Sequence, residues 1–418
     1  MNNPVQTAEN NREKKSISSQ TLEDAFSSVH ADPVGFVDKV LKESVGLSAS
    51  DIFFEPREEF VEVRVRVDGV MYVLGTIGLD IYVQVASRFK VLSNLDPTEK
   101  RKIQEGQFTI NDYMGATVNL RVEIAQTVNG ELIVIRVHKK ETIVMEVSKL
   151  GFSSVAFNNF QNMLKQRSGL ILVCGPTGCG KTTTLYSTIS KLNQNQEFNI
   201  MTIEDPVEFK IEGVNQMQVQ KEIGFTFAGG LRTILRLSPD VVLVGEIRDK
   251  ETAEIAVESG LTGQLVLSTL HAEDSVGALF RLLDLGIESY LLNSSLLGII
   301  AQRLVRKTCV TCRAPYQPNQ DELEIFNKVT GRAPKQLVKS SGCPQCKNIG
   351  YKGRMGIFEV LIIDSRVRSL IRSRVNETQL RENLIKAKFM TLMRDGFEKA
   401  EQGHTTLQEV LRNSLRVS

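Results

Sequence analysis

The chain has 418 residues, of which 41% are hydrophobic and 24% are charged, and its formal net charge is +2. The length predicts two or three domains with sizeable cores, and the ordinary composition excludes a mainly disordered chain. Because 51 basic residues balance 49 acidic ones, no overall basic field indicates a nucleic-acid partner. No apolar run approaches the ~18 residues that span a bilayer. The polar N-terminus also lacks the pattern of a secretory signal, so we expect a cytosolic protein.

The N-terminal third predicts a small α+β domain. Residues 1–30 are polar and charged and are expected to form a flexible tail. A helix is predicted from Val34 to Val45, and the strict alternation of Val61–Val67 predicts a half-buried strand. Two turns indicate hairpins, Asp68-Gly69 leading into Val70–Leu74, and Asn129-Gly130 between Val118–Ile124 and Leu132–Val137. The domain is expected to cover residues 31–138.

A different pattern follows the charged linker expected at 139–150. Short apolar strands at 170–174, 199–203, 241–245 and 265–269 alternate with helical stretches. This rhythm predicts a doubly wound parallel sheet, whose strand-end loops carry the chemistry. The second domain is expected to span 151–418, with a cysteine-bearing insert at 306–350 and a helical region at 360–418.

The run GPTGCGKT, Gly175–Thr182, fits the phosphate-loop pattern at every fixed position. It follows the apolar strand and precedes a helix-forming stretch, Thr183–Leu192, which is the context that favours a phosphate site over an ordinary glycine-rich turn. Backbone N–H groups and the helix N-terminus would cradle the phosphates, Lys181 would reach the β- and γ-phosphates, and the Thr182 hydroxyl would bind Mg²⁺. The expected nucleotide-binding residues are Gly175, Pro176, Thr177, Gly178, Cys179, Gly180, Lys181, Thr182 and Thr183.

Three further strands end in polar residues. Glu204 ends one strand, Gly245-Glu246 follow another in a Walker-B-like arrangement with glycine in the usual aspartate position, and His271 follows the third. Carboxyl ends of parallel strands meet at one edge, so these side chains are expected to face the phosphate loop. The alternatives are a helix N-terminal acid for Glu246, a cap or ion pair for Glu204, and a structural hydrogen-bond donor for His271.

Four of the six cysteines form two C-x-x-C pairs, Cys309/Cys312 and Cys343/Cys346. Each pair can supply two thiolates to one tetrahedral ion, and Zn²⁺ in a closed structural site is the first choice. Disulfides are a poor explanation in a reducing cytosol. A redox-active C-x-x-C is the remaining alternative, but the supporting thioredoxin-like pattern is absent from the sequence.

These motifs carry a family resemblance. LRLSPDVVLVGEIRD (Leu235–Asp249), EDPVE (Glu204–Glu208), STLHAED (Ser268–Asp274) and GYKGRMGIFEV (Gly350–Val360) resemble the secretion ATPases of type II secretion and type IV pilus assembly, the GspE/PilB family. The resemblance runs from about residue 31 to the C-terminus. It implies a RecA-like P-loop nucleotide domain preceded by a small PAS-like α+β domain. It also implies the zinc insert, which marks assembly and export ATPases and is typically absent from retraction motors.

The resemblance assigns roles to residues of this chain. Glu246 would orient or deprotonate the attacking water, Glu204 would assist through Mg²⁺ or a second water, and His271 would sense the γ-phosphate. Arg121 and Arg136 resemble arginines that such ATPases insert into a neighbouring subunit's pocket.

A two-residue turn at Asn129-Gly130 would place both arginines on one face of their hairpin, Arg121 opposite His138 and Arg136 opposite Glu123. An Arg136–Glu123 ion pair on a solvated face is the alternative. Arg232 and Arg236 share a helical face and are weaker phosphate candidates.

By the same resemblance we expect a Mg²⁺-dependent, ATP-driven homo-hexamer working on a polytopic inner-membrane platform protein (GspF/PilC type), with peripheral membrane association and no nucleic acid. The basic run Arg303, Arg306, Lys307 and Arg313 is expected to be solvated surface or a docking face for that platform. Two departures from the family pattern are Gln264, where a basic residue is usual, and Phe53, where histidine is common. The alternatives are a pilus-retraction or DNA-uptake/conjugation ATPase and a nucleotide-binding regulatory subunit that does not hydrolyse ATP.

Overall fold

The structure is a computed structural model that describes residues 16–17, 19–111, 115, 117–138 and 145–414. Two compact units are present, one reaching to residue 140 and including Gly342–Ile349, the other holding Glu141–Ser341 and Gly350–Ser418. Residues 1–15 and 18 of the expected tail and 139–144 of the expected linker lie outside the described residues. Within the described ranges, no helix combines the length and the apolar character that a bilayer crossing requires.

The first unit is a six-stranded antiparallel sheet with helices, in the spatial order β3-β2-β1-β6-β5-β4. Its elements are α1 (Gln20–Ser28), α2 (Pro33–Gly46), β1 (Ala49–Pro56), β2 (Phe60–Val67), β3 (Val70–Gly78), α3 (Leu79–Leu92), β4 (Gln104–Asn111), β5 (Thr117–Thr127) and β6 (Gly130–His138). The predicted helix, strands and hairpins are all present. The prediction of a flexible tail is wrong for the residues of α1, which form a helix. Leu22 and Ala25 bury the apolar face of this helix, and Ser19 caps its N-terminus.

The register of the β5–β6 hairpin differs from the prediction. Thr127 pairs with Gly130, so the two loop residues are Val128 and Asn129 rather than Asn129 and Gly130. Arg121 therefore lies directly opposite Arg136, not opposite His138. Residues directly opposite each other share a face, so the expectation of one common face holds although the pairing was wrong.

The second unit is built on a seven-stranded sheet with the order β15-β12-β7-β11-β10-β8-β9, in which only β15 runs antiparallel to its neighbour. Its strands are β7 (Gly169–Cys174), β8 (Ile200–Glu204), β9 (Asn215–Gln218), β10 (Val241–Val244), β11 (Leu265–Leu270), β12 (Leu296–Thr308) and β15 (Tyr351–Ile362), with a separate two-stranded sheet of β13 (Arg313–Tyr316) and β14 (Leu337–Ser340). Its helices are α4 (Ser154–Leu164), α5 (Lys181–Leu192), α6 (Phe227–Leu235), α7 (Lys250–Leu261), α8 (Ser275–Asp284), α9 (Ser289–Ser295), α10 (Gln320–Thr330), α11 (Ser365–Arg372), α12 (Glu377–Lys386), α13 (Leu392–Glu401) and α14 (Leu407–Ser414).

Strand β7 shows why these apolar runs form a central sheet. Leu170, Leu172 and Cys174 enter a core on one face, whereas Ile171 and Val173 enter the core on the other. Successive side chains of a strand point to opposite faces, so a strand covered on both sides must be apolar at every position. The four predicted strands are present and buried along their whole length, and are confirmed.

The basic run is only partly the solvated surface that was expected, since Lys307 and Arg313 are exposed but Arg303 and Arg306 are buried. The side chain of Arg306 is buried, donates to Glu409 at 2.8 Å and lies over the ring of Tyr351. Arg303 is also buried and donates to the Glu273 carbonyl at 2.7 Å. A buried guanidinium needs such partners because desolvation disfavours an unpaired charge. These two arginines therefore belong to the packed interior of the second unit.

Candidate nucleotide site and cysteine cluster

The loop Gly175–Gly180 joins the carboxyl end of β7 to the amino end of α5. Gly178 and Gly180 have φ angles of 77° and 92°, a left-handed region that glycine adopts without a Cβ penalty. Helix α5 begins at Lys181, with Gly180 as its N-cap. The free N–H groups of a helix N-terminus and its dipole together favour an anion at this position.

A cleft of about 470 Å³ opens beside this loop. Its lining residues come from the loop and from neighbouring strand ends, and are Thr177, Gly178, Gly180, Lys181, Thr182, Thr183, Leu185, Tyr186, Glu204, Asp205, Pro206, Glu208, Phe227, Leu243, Gly245, Glu246, Arg248, Thr269, His271, Leu304 and Arg354. Lys181 Nζ donates to the carbonyls of Gly175 and Pro176, at 2.8 and 3.1 Å. The cleft thus brings together the expected phosphate loop, Glu204, Glu246 and His271.

Glu204 is almost fully buried, with 4% of its surface exposed. It accepts hydrogen bonds from the hydroxyls of Tyr186 and Thr202 and from the Gln216 side chain. Tyr186 in turn accepts the N–H of Glu208. Two causes raise the pKa of Tyr186: burial is the larger one, and the hydrogen bond to Glu204 is the next. The hydroxyl of Tyr186 therefore remains a proton donor to the carboxylate at neutral pH.

Glu246 lies at the end of β10 between two basic side chains. Its Oε1 accepts from Arg248, and its Oε2 lies 3.6 Å from His271 Nε2. The bond to Glu246 raises the pKa of Arg248. Gly245 allows this strand end to approach β8, because a Cβ there would lie 3.3 Å from Glu204 Cα and from the Ile203 carbonyl. The glycine in the usual aspartate position therefore has a packing reason.

The candidate arginines have other partners within their own units. In the first unit, Arg121 pairs with Glu105 and Glu123, and Arg136 pairs with Asp51 at 3.5 Å. The Arg136–Glu123 pair weighed from the sequence is not the one formed. In the second unit, Arg232 pairs with Glu251 at 2.6 Å, and Arg236 is an exposed residue at the end of α6.

Neither of the two departures from the family pattern is among the residues that line the cleft. Gln264 precedes β11, and its carbonyl accepts the N–H of Gly169 at the start of β7. That is the end of the sheet opposite the phosphate loop. Phe53 lies in β1 of the first unit, where the guanidinium of Arg66 is 5.4 Å from its ring centre.

Sequence reasoning missed several cleft residues. Tyr186 lies one turn beyond the motif on α5, Arg248 follows Glu246 by two residues, and Leu304 and Arg354 come from β12 and β15. Arg248 stands in a stretch that was recognised, and its proximity to Glu246 was a usable signal. Arg354 on β15 also lies in a recognised stretch, Gly350–Val360, whereas Leu304 on β12 had no such signal, because that strand joins the sheet from a distant part of the sequence.

The four cysteines of the two C-x-x-C pairs form one cluster, with all sulfur atoms within 4.8 Å of one another. Cys309 and Cys346 are buried, and Cys312 and Cys343 are partly exposed. The sulfur atoms of Cys343 and Cys346 are 3.7 Å apart. Tetrahedral Zn²⁺ with Zn–S bonds of about 2.3 Å requires an S–S separation of about 3.8 Å, so this donor set fits zinc.

The chain is similar in sequence to known proteins. A family model described as Type II/IV secretion system protein matches residues 29–412. Type II secretion system ATPase E of Vibrio cholerae is 42% identical over 391 residues, which is 93% of this chain and 77% of that protein. Type IV pilus assembly ATPase PilB of Myxococcus xanthus is 39% identical over 389 residues, covering 92% of this chain and 68% of that protein.

Solved structures show the same fold. The pilus retraction motor PilT with bound ADP is 26% identical, with a TM-score of 0.57 over 90% of this chain and 95% of that one. The ATPase DotB of Legionella pneumophila has a TM-score of 0.64 at 21% identity, over 90% of this chain and 94% of that one. The second unit is thus a RecA-like α/β domain, as the sequence predicted.

Proposed function

The chain belongs to the type II/IV secretion system protein family and is an ATP hydrolase of secretion or pilus assembly, and we propose that its cleft hydrolyses Mg²⁺-bound ATP to drive assembly of a pilus or pseudopilus. One observation carries this proposal. The phosphate loop, Glu204, Glu246 and His271 come from four separate strand ends and line a single cleft. A cleft at the carboxyl edge of a parallel sheet is where α/β folds bind nucleotides.

The phosphate loop and Lys181 would hold the nucleotide polyphosphate. In that role Lys181 exchanges its bonds to the Gly175 and Pro176 carbonyls for phosphate oxygens, while the N–H groups of the loop and of α5 donate to the same anion. Thr182 and Glu204 would hold Mg²⁺ directly or through water. When bound, this ion neutralises charge that develops on the phosphates.

Glu246 is the proposed general base or water-orienting residue. Arg248 holds Oε1 of this carboxylate, which leaves Oε2, on the His271 side, to accept a proton or hydrogen bond from water. His271 would contact the γ-phosphate, since its side chain is 56% exposed and lines the cleft. Phosphoryl transfer requires mainly positioning and charge compensation, which these side chains can supply.

Replacing Glu246 tests this assignment. We expect Glu246→Gln to lower kcat for ATP hydrolysis by about 100-fold or more, because the amide cannot take a proton. Affinity for ATP should change by less than about threefold, since the phosphate loop is untouched. Steady-state phosphate release and equilibrium binding measure the two quantities. Glu254→Gln, a change at a half-buried residue on α7 that pairs with Lys250, is the matched control. A Glu246→Gln protein that hydrolyses ATP at the wild-type rate would exclude Glu246 from catalysis.

We propose a homo-hexamer in which Arg121 and Arg136 act on the ATP bound by a neighbouring subunit. Both arginines lie on one face of the β5–β6 hairpin, and about half of each side chain is exposed, 40% for Arg121 and 56% for Arg136. Their present ion pairs at this level of exposure are worth about 0–1 kcal/mol. Exchange for a polyphosphate therefore costs little, and two guanidiniums suit its charge.

Mixing two inactive variants tests action between subunits. Arg121→Ala should lower the hydrolysis rate by about 10³-fold, the contribution of an arginine that stabilises the transition state. Mixed rings of Arg121→Ala and Glu246→Gln should regain activity, because some interfaces then contain both an intact Arg121 and an intact Glu246. Arg101→Ala, at an exposed position, should remain active alone. Full activity of Arg121→Ala rings, or no recovery on mixing, contradicts the assignment.

The cysteine cluster is proposed to hold structural Zn²⁺, with Cys309, Cys312, Cys343 and Cys346 as a closed set of four thiolates. We expect about one zinc per chain by elemental mass spectrometry, and we expect Cys312→Ser to lose most of it, because three thiolates form an incomplete site. Cys179→Ser, outside the cluster, should keep the metal. Protein that is purified without chelator and contains no zinc would favour the redox interpretation of the C-x-x-C pairs.

The proposed location is the cytoplasmic face of the inner membrane, against a polytopic platform protein of the GspF/PilC type. Identities of 42% and 39% to a secretion and a pilus-assembly ATPase favour assembly over retraction. Copurification with a platform protein encoded beside this chain tests the partner, and hydrolysis stimulated by DNA instead of by that protein would favour the DNA-uptake alternative.

A further inference from the structure

A buried glutamine on β12, Gln302, contacts the phosphate loop. Gln302 lies on β12 with 1% of its surface exposed, next to the loop because its neighbour Ala301 pairs with Cys174. Its Nε2 donates to the carbonyl of Cys179 at 2.7 Å, and its Oε1 accepts the hydroxyl of Thr184 at 2.8 Å. One side chain thus joins the last part of the loop to the first turn of α5.

The bond to Cys179 determines the direction of an amide in the loop. The peptide between Cys179 and Gly180 is trans, since among the described residues the one cis bond is Asp205-Pro206. In a trans peptide the C=O and the following N–H point in opposite directions. Because Gln302 holds the Cys179 carbonyl on the β12 side, the N–H of Gly180 points to the other side of the peptide, away from β12.

The loop packs closely against Gln302 of β12. A Cβ on Gly175 would lie 2.6 Å from the Gln302 carbonyl oxygen, and a Cβ on Gly180 would lie 3.0 Å from Gln302 Nε2. Arg303 Nη1 donates to the Gln302 carbonyl at 3.1 Å and fixes that oxygen. The backbone and the side chain of Gln302 therefore contact the first and last glycines of the loop.

We propose that Gln302 is a positioning residue that presets the phosphate loop for polyphosphate by holding the Cys179–Gly180 peptide and the first turn of α5. The inference rests on the proposed nucleotide site and names a residue that the loop motif does not contain. A preset loop binds its anion without first ordering its own amides. A loop without this contact has to reorient a peptide, so the loss falls on binding of the phosphates.

The test compares binding of two probes, ATPγS and inorganic tripolyphosphate, to wild type and to Gln302→Met, which conserves volume and removes both hydrogen bonds. We expect the Kd of Gln302→Met to rise about tenfold for both probes, the effect of losing one or two net hydrogen bonds. The value of kcat at saturating ATP should stay within about threefold. Thr184→Val, which removes one of the two bonds, should give a smaller rise of about two- to threefold.

Controls separate this role from general stability. A merely structural role would lower the folded fraction and hence kcat without raising Kd, so circular dichroism melts accompany each measurement. Gln161→Met removes a hydrogen-bonded glutamine on α4 that contacts Lys191 and should bind both probes as wild type does. If Gln302→Met does not fold, Gln302→Leu, which also removes both hydrogen bonds, takes its place with the same expectation.

Three negative results have different meanings. A wild-type protein that binds neither probe overturns the proposed nucleotide site itself. A wild type that binds both, with a folded Gln302→Met that binds them equally tightly, overturns only the role of Gln302. A rise in Kd for ATPγS without a rise for tripolyphosphate also contradicts the proposal, because the contact would then act on the nucleoside.

Discussion

The parallel alignment of β7, β11, β10 and β8 is the constraint on which the site depends. Backbone hydrogen bonds fix the register, with Val173 beside Thr269 and Val244 beside both Ser268 and Ile203. Because all four strands run the same way, the residues after their carboxyl ends meet at one edge. The phosphate loop, His271, Glu246 and Glu204 come together for this reason, although about a hundred residues of sequence lie between the first and the last of them.

Polar contacts then orient what the sheet brings together. Glu204 is buried and keeps its orientation through three donors, and Glu246 is held by Arg248 at one oxygen. Gly245 avoids the tight contacts that a Cβ would make with the neighbouring strand end. Gln302 supports the phosphate loop in the same way, through a hydrogen bond from β12, the strand that ends one residue before Cys309. The cleft therefore combines residues of the quoted motifs with supporting residues, of which Gln302 lies outside those motifs.

The sequence predicted the parts that depend on local pattern. Apolar runs such as Leu170–Cys174 read as buried strands because both faces are covered, and the glycine spacing of the loop needed no tertiary information. The register of the β5–β6 hairpin could not be settled in this way, because Val128-Asn129 and Asn129-Gly130 are both acceptable turns and only the pairing across the sheet separates them. The burial of Arg306 beside Glu409 was also beyond the sequence, since 103 residues separate the partners.

The central claim is that the loop after β7 binds the polyphosphate of ATP, and Lys181 tests it most directly. Equilibrium binding of a fluorescent ATP analogue would compare wild type, Lys181→Ala and Lys191→Ala, the last a lysine on the same helix that contacts Gln161 instead. Loss of hydrogen bonds to a charged group, about 1.5–3 kcal/mol, predicts a Kd at least about tenfold higher for Lys181→Ala and an unchanged Kd for Lys191→Ala. Equal affinity of all three proteins would contradict the account.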